Sequence, residues 1–127
     1  MLQNLVEKKL NIKIDNLIQL FHENNYTKVL KSVTELLNQN PKNLQLLTIK
    51  AITLASLKKF KEAIKYYKQC LKYYPNHIVS YFNIGSVYQD INQIDDAIVS
   101  YKKVLEIDPN HFGALFNIAV IYNDQKE

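Results

Sequence analysis

Residues 78–111 open with Ile78-Val79-Ser80-Tyr81-Phe82-Asn83-Ile84-Gly85-Ser86-Val87-Tyr88 and close with Glu106-Ile107-Asp108-Pro109-Asn110. Ala97 and Tyr101 fall between these two runs. Large, small and aromatic residues thus recur at helical spacing, and a proline ends the run. The same set returns 34 residues upstream as Leu47, Ala51, Leu54, Ala63, Tyr67 and Pro75. Downstream it returns as Leu115, Ile118, Ala119 and Tyr122. A period of this length belongs to stacked helical hairpins, which bury a continuous core between neighbours and present an extended surface.

Helical periodicity runs through the rest of the chain, with no alternating strand pattern. It predicts helices over 10–24, 26–39, 44–57, 60–73, 78–91, 94–107 and 111–124. Pro41, Pro75 and Pro109 follow three of these segments, where a missing N–H and a fixed φ stop a helix. Asn43, Asn76 and Asn110 are the expected N-caps of the helices that come next. Within each hairpin the turn falls on Asn24, Lys58 or Asn92, positions that call for left-handed backbone. Ala51, Gly85 and Ala119 are expected where paired helices approach most closely, with Ala63 and Ala97 answering from the second helix. Lys50 occupies a position that is usually apolar and is expected to snorkel.

The divisions that follow are an N-terminal helical extension at 1–9, an atypical first repeat at 10–43, and repeats at 44–77 and 78–111. Residues 112–127 then form the first helix of an incomplete fourth repeat, and the whole is one array. Leu2, Leu5, Val6 and Leu10 continue an apolar stripe, so the extension is read as part of the first helix.

Composition narrows the functional classes. A chain of 127 residues with two glycines and three prolines is one ordinary folded domain. No apolar run approaches the ~18 residues that span a bilayer. With Met1 as the natural start there is no signal peptide, and one cysteine, Cys70, fits a reducing compartment, so a cytoplasmic location is expected. The net charge of +4 is unevenly spread. Segment 44–77 carries seven lysines against Glu62 alone, whereas 78–111 carries Lys102 and Lys103 against Asp90, Asp95, Asp96, Glu106 and Asp108. All sixteen basic residues are lysine. Without arginine's planar fork, nucleic-acid binding is not expected. The cluster of Lys58, Lys59, Lys61, Lys65, Lys68 and Lys72 therefore reads as a solvated outer face.

No chemistry-bearing constellation emerges. His22, His77 and His111 have no cysteine or carboxylate at metal spacing. There is no phosphate loop, nucleophile elbow or paired-acid arrangement. Neither catalysis, a metal nor a cofactor is expected.

Taken together, these residues resemble the tetratricopeptide repeat family over about 10–125. The resemblance implies an all-α, right-handed superhelical solenoid of antiparallel hairpins, here three repeats plus one extra helix. It also implies a concave groove lined by the first helix of each pair, which commonly holds peptides or partner helices. The groove residues carried over are Ile18, Ile52, Phe82, Asn83, Ser86, Asp90, Phe116, Asn117 and Val120. Chaperone-adaptor members resemble one another in a carboxylate clamp of lysine, asparagine and arginine. In one register Ile14, Ile18, Ile49, Val79 and Asn83 occupy those positions here, and one repeat further on Thr48, Ile52, Asn83, Gly113 and Asn117 do, a single match, so no clamp is expected. The groove is partly similar to the repeats of O-linked N-acetylglucosamine transferase, whose asparagine ladder Asn83 and Asn117 match while Asp15 and Ile49 do not.

The function implied is a non-catalytic interaction module for an extended peptide or partner helix. The alternative is a scaffold segment of a larger enzyme or assembly, glycosyltransferase-like, with no ligand of its own. The last helix adds one expectation. Phe112, Leu115, Phe116, Ile118, Val120, Ile121 and Tyr122 spread around nearly its whole circumference. Either a following helix in a longer protein covers them, or two copies pair as a homodimer through Phe112, Phe116 and Ile121.

Overall fold

The computed structural model describes residues 1–126, and every regular element in it is helical. The elements are α1 (Leu2–His22), α2 (Tyr26–Gln39), α3 (Leu44–Ser56), α4 (Phe60–Tyr73), α5 (Ile78–Asp90), α6 (Ile94–Ile107) and α7 (Phe112–Gln125). The chain is an all-α helical-repeat solenoid. Consecutive helices pack on one another, and the first helices also touch along the stack, α1 on α3 and α3 on α5.

Each second helix buries one narrow stripe. In α4 the stripe is Ala63, Tyr67 and Cys70; in α6 it is Ala97, Tyr101 and Val104. This spacing keeps the three side chains over one another on the face turned to the neighbouring helices. Three apolar clusters result, centred on Val29, Val33 and Leu47, then on Ala51, Ala63 and Tyr67, then on Ala97, Tyr101 and Ala114. Burying one such large side chain contributes about 2–3 kcal/mol.

The hairpin turns have a common construction. Asn24, Lys58 and Asn92 stand at φ 60°, 60° and 62°. At each turn the next residue's N–H reaches back to a carbonyl five residues earlier: Asn25 to Leu20 at 3.0 Å, Lys59 to Leu54 at 2.8 Å, and Gln93 to Tyr88 at 2.8 Å. This is the Schellman closure, which satisfies the free carbonyls at a helix end. Lys58 adopts it without asparagine's local hydrogen bonding.

Three expectations need correction. The N-cap of α3 is Asn43, whose side chain accepts the Leu46 N–H at 3.0 Å, but the caps of α5 and α7 are His77 and His111 rather than Asn76 and Asn110. Period explains this, because positions 77 and 111 are the 34-residue equivalents of Asn43. His111 Nδ1 accepts the Ala114 N–H at 3.1 Å, and His77 Nδ1 pairs with Ser80 Oγ at 2.7 Å. Burial holds the His77 imidazole below its ordinary pKa.

The second correction concerns Ile121. It is 3% exposed and belongs to the cluster around Tyr101 and Ala114, so it is not available for self-association. Its place on the helix explains the difference, since it faces the preceding hairpin while Phe112 and Phe116 face outward at 78% and 56% exposure. Third, Ala119 is exposed, because no described helix packs against it as α4 packs on Ala51.

The first nine residues belong to α1 from Leu2 onward. Leu10 lies against the first cluster, and Leu2, Leu5 and Val6 are exposed beyond it. Lys50 is 9% exposed, and its Nζ lies 4.4 Å from the centre of the Tyr66 ring. A cation over an aromatic face explains how a lysine is accommodated there.

Candidate functional site

The period of the first helices brings every thirty-fourth residue to the same face, so α3 and α5 form the two walls of a shallow cleft. Its volume is about 330 Å³ and its lining includes Ile52, Ala55, Asn83, Ser86, Val87 and Asp90, with Ser56 and Tyr67 completing it. Four of the sequence-derived groove residues are therefore assembled in one place: Ile52, Asn83, Ser86 and Asp90. Ile52, Asn83 and Ser86 are half-buried, and Asp90 is exposed at the rim.

The others lie elsewhere. Ile18 is exposed on α1, outside this cleft. Phe116, Asn117 and Val120 belong to α7, one repeat further on. Phe82 is taken up in packing: its ring centre lies 5.7 Å from that of Tyr101 and 5.0 Å from that of His111. Gly113 makes that packing feasible, since a Cβ there would come within 2.9 Å of the Phe82 ring.

Tyr67 gives the cleft a further feature. Its ring is buried, yet the residue forms part of the cleft beside Asn83. Burial raises its phenol pKa far above the ordinary value, with nearby Cys70 adding to the shift and a hydrogen bond with Asn83 opposing it. Tyr101 repeats the arrangement. Its hydroxyl donates to Gln89 Oε1 at 2.7 Å and accepts from Asn117 Nδ2 at 3.2 Å. Burial raises this phenol too. Both phenols are neutral at physiological pH. Asn117 thus meets the tyrosine of the preceding hairpin through a hydrogen bond, and Asn83 stands beside Tyr67 in the equivalent place. The thirty-four-residue relation of Asn83 to Asn117 and of Tyr67 to Tyr101 carried that signal. Ser56 was detectable in the same way, as the equivalent of Asp90.

A second cleft, of about 270 Å³, lies where the end of α7 meets the α5–α6 turn. It is lined by Gln89, Asn92, Ile94, Ile121, Asp124 and Gln125. Cys70 is buried, its Sγ 3.8 Å from Thr48 Oγ1, and burial pushes its thiol pKa up, which makes it a poor nucleophile. Among the described residues no group of three or more His, Cys, Asp or Glu side chains is placed to hold a metal ion. No described helix is long and apolar enough to cross a membrane.

Hairpins of this period, with small residues at their contacts and a groove along their first helices, define a helical-repeat protein. One tetratricopeptide repeat profile matches residues 45–77 and a second matches residues 78–111, together just over half of the chain. The chain belongs to the tetratricopeptide repeat family. Among solved structures it is similar to the first such domain of Spaghetti (RPAP3) bound to the HSP90 peptide SRMEEVD. That match has a TM-score of 0.86 and 22% identity, over 94% of this chain and 95% of that one. The second such domain of human RPAP3, in complex with the HSP70 peptide SGPTIEEVD, matches at 0.80 and 18% identity over 87% and 92%. MamA matches at 0.82 and 16% identity, over 98% of this chain and 74% of that one. At these identities the likeness speaks for the fold. No curated protein sequence matches the chain.

Proposed function

We propose that the chain is a non-catalytic interaction module whose concave groove holds an extended peptide or partner helix. The observation that carries this reading is the α3–α5 cleft. It sets apolar Ile52, Ala55 and Val87 beside the amide and hydroxyls of Asn83, Ser86 and Ser56. Apolar anchors with fixed polar partners suit a bound main chain. Peptide complexes of structurally similar domains support a peptide as the occupant. Buried, unpaired Cys70 agrees with the proposed cytoplasmic location.

A single short peptide is expected to bind at about micromolar strength, because its ordering opposes the contact. The test selects binders from a library of short linear peptides and maps them by amide chemical shifts. Shifts should concentrate on α3, α5 and α7. Ser86→Leu, which fills the cleft, should weaken binding about tenfold with helical content intact. Shifts confined to α2, α4 and α6 would move the site to the outer face and defeat the reading.

The open side of α7 supports a second contact, between two copies of the chain. Phe112 and Phe116 stack with ring centres 6.1 Å apart, and Leu115 and Tyr122 are exposed beside them. Such a patch favours a two-fold pairing that removes it from water. Light scattering should show mass rising with concentration, and Phe116→Glu should restore the monomer. A wild type that stays monomeric at high concentration excludes the pairing.

A further inference from the structure

We propose that the groove selects a basic peptide, one that presents lysine or arginine side chains to Asp90 and Asp124; this rests on the groove reading above. The charge distribution carries the inference. Asp90 is the one charged residue lining the α3–α5 cleft, and Asp124 is the one charged residue lining the cleft at the end of α7. The two are 34 residues apart, so they recur at one position along the groove. Both are exposed at the rim, and among the described residues neither is in an ion pair.

None of the sixteen lysines lines either cleft. Lys50, the nearest in sequence to Ile52, is turned onto the Tyr66 ring of α4. Lys61, Lys65 and Lys68 gather on the exposed side of α4. The chain is therefore positive overall, while the one charged residue lining each of these two clefts is an aspartate. A cationic side chain entering the groove meets an uncompensated carboxylate beside a low-dielectric wall, where attraction is stronger than in water. An acidic peptide meets repulsion at the same points, and Ile14, Ile18, Ile49, Val79 and Asn83 provide no cation to offset it. The partner chemistry is thus opposite in sign to the EEVD peptides of the similar domains.

Three end-capped peptides of one apolar host sequence, carrying lysine, glutamine or glutamate at the variable positions, provide the test. Their affinities are measured by fluorescence anisotropy at low and high salt, with amide shifts to locate each. The lysine peptide should bind about tenfold tighter than the glutamate peptide at low salt, and the gap should narrow as salt rises. Asp90→Asn with Asp124→Asn should remove most of that preference. A glutamate peptide that binds as well as the lysine peptide overturns the proposal. So does a lysine preference untouched by the two substitutions, which would assign it to another surface. If the glutamine peptide still maps to the groove in either case, the groove reading stands and only the charge preference falls. If no peptide shifts α3, α5 or α7, both fall.

Discussion

Tyr101→Ala is expected to lower stability by about 3–5 kcal/mol, the range for truncating a fully buried aromatic. The ring is entirely buried and sits in the cluster that joins α5, α6 and α7. Its edge lies against Gly85 and its centre is 5.7 Å from that of Phe82. Its hydroxyl ties Gln89 of α5 to Asn117 of α7 through bonds of 2.7 and 3.2 Å. Truncation therefore leaves a cavity and frees two polar side chains together. In a short array with ~5–15 kcal/mol of total stability, such a loss removes a large part of the whole. Tyr101→Phe keeps the ring and should cost about 1 kcal/mol, the net value of its hydrogen bonds. Urea unfolding followed by circular dichroism measures both. An alanine variant within about 1 kcal/mol of wild type would mean the ring does not hold the three helices together.

Gly85→Leu should be nearly as damaging, at roughly 3 kcal/mol or more. A Cβ added at Gly85 would lie 2.7 Å from Tyr101 Cε1 and 3.0 Å from its Cδ1. Alanine alone would gain ~1 kcal/mol of helix propensity over glycine. That gain is opposed because the ring has little freedom to retreat, its hydroxyl being held from two helices. Leucine adds three more carbons to the same contact. Ala51, the equivalent one repeat earlier, carries its methyl within the cluster that contains Tyr67, so the tolerance differs between repeats. Because Gly85 and Tyr101 share one contact, their effects should not add. Tyr101→Ala combined with Gly85→Leu should be more stable than the sum of the two losses implies. Strict additivity, read from thermal and urea midpoints, would show that the two residues do not touch as described. Ala97→Leu, at the facing position on α6, should shift the midpoint in the same direction.

Both predictions depend on residues whose importance follows from spacing alone. Gly85, Ala97 and Tyr101 recur, as small or aromatic positions, at Ala51, Ala63 and Tyr67, and a fixed period can only mean repeated packing. The three left-handed turns were readable for a similar reason, because a helix that reverses within two or three residues has few backbone solutions. The caps were harder. Asparagine is the common cap residue, yet the cap positions fall one residue later, on His77 and His111, and of the two only His111 accepts a backbone N–H through its ring nitrogen.

The groove was half readable. Sequence placed Ile52, Asn83, Ser86 and Asp90 on one face because their first helices share a register. It could not say that Phe82 would be covered by His111 and Gly113, since that depends on how closely α7 approaches α5. Snorkelling was expected of Lys50, but not that its cation would come to lie over the Tyr66 ring, a partner supplied by another helix.

The sequence by itself determined the all-α class, the 34-residue period, the small-residue contacts and the uneven distribution of lysine and acid. These follow from local spacing and composition, which require no knowledge of neighbours. Tertiary structure alone decided which apolar residues are covered. Ile121 and Phe116 are both apolar and lie on one helix, yet the first is 3% exposed and the second 56%. Burial belongs to a residue together with whatever packs on it. On α7 the preceding hairpin supplies that partner to one face, and no described residue supplies it to the other.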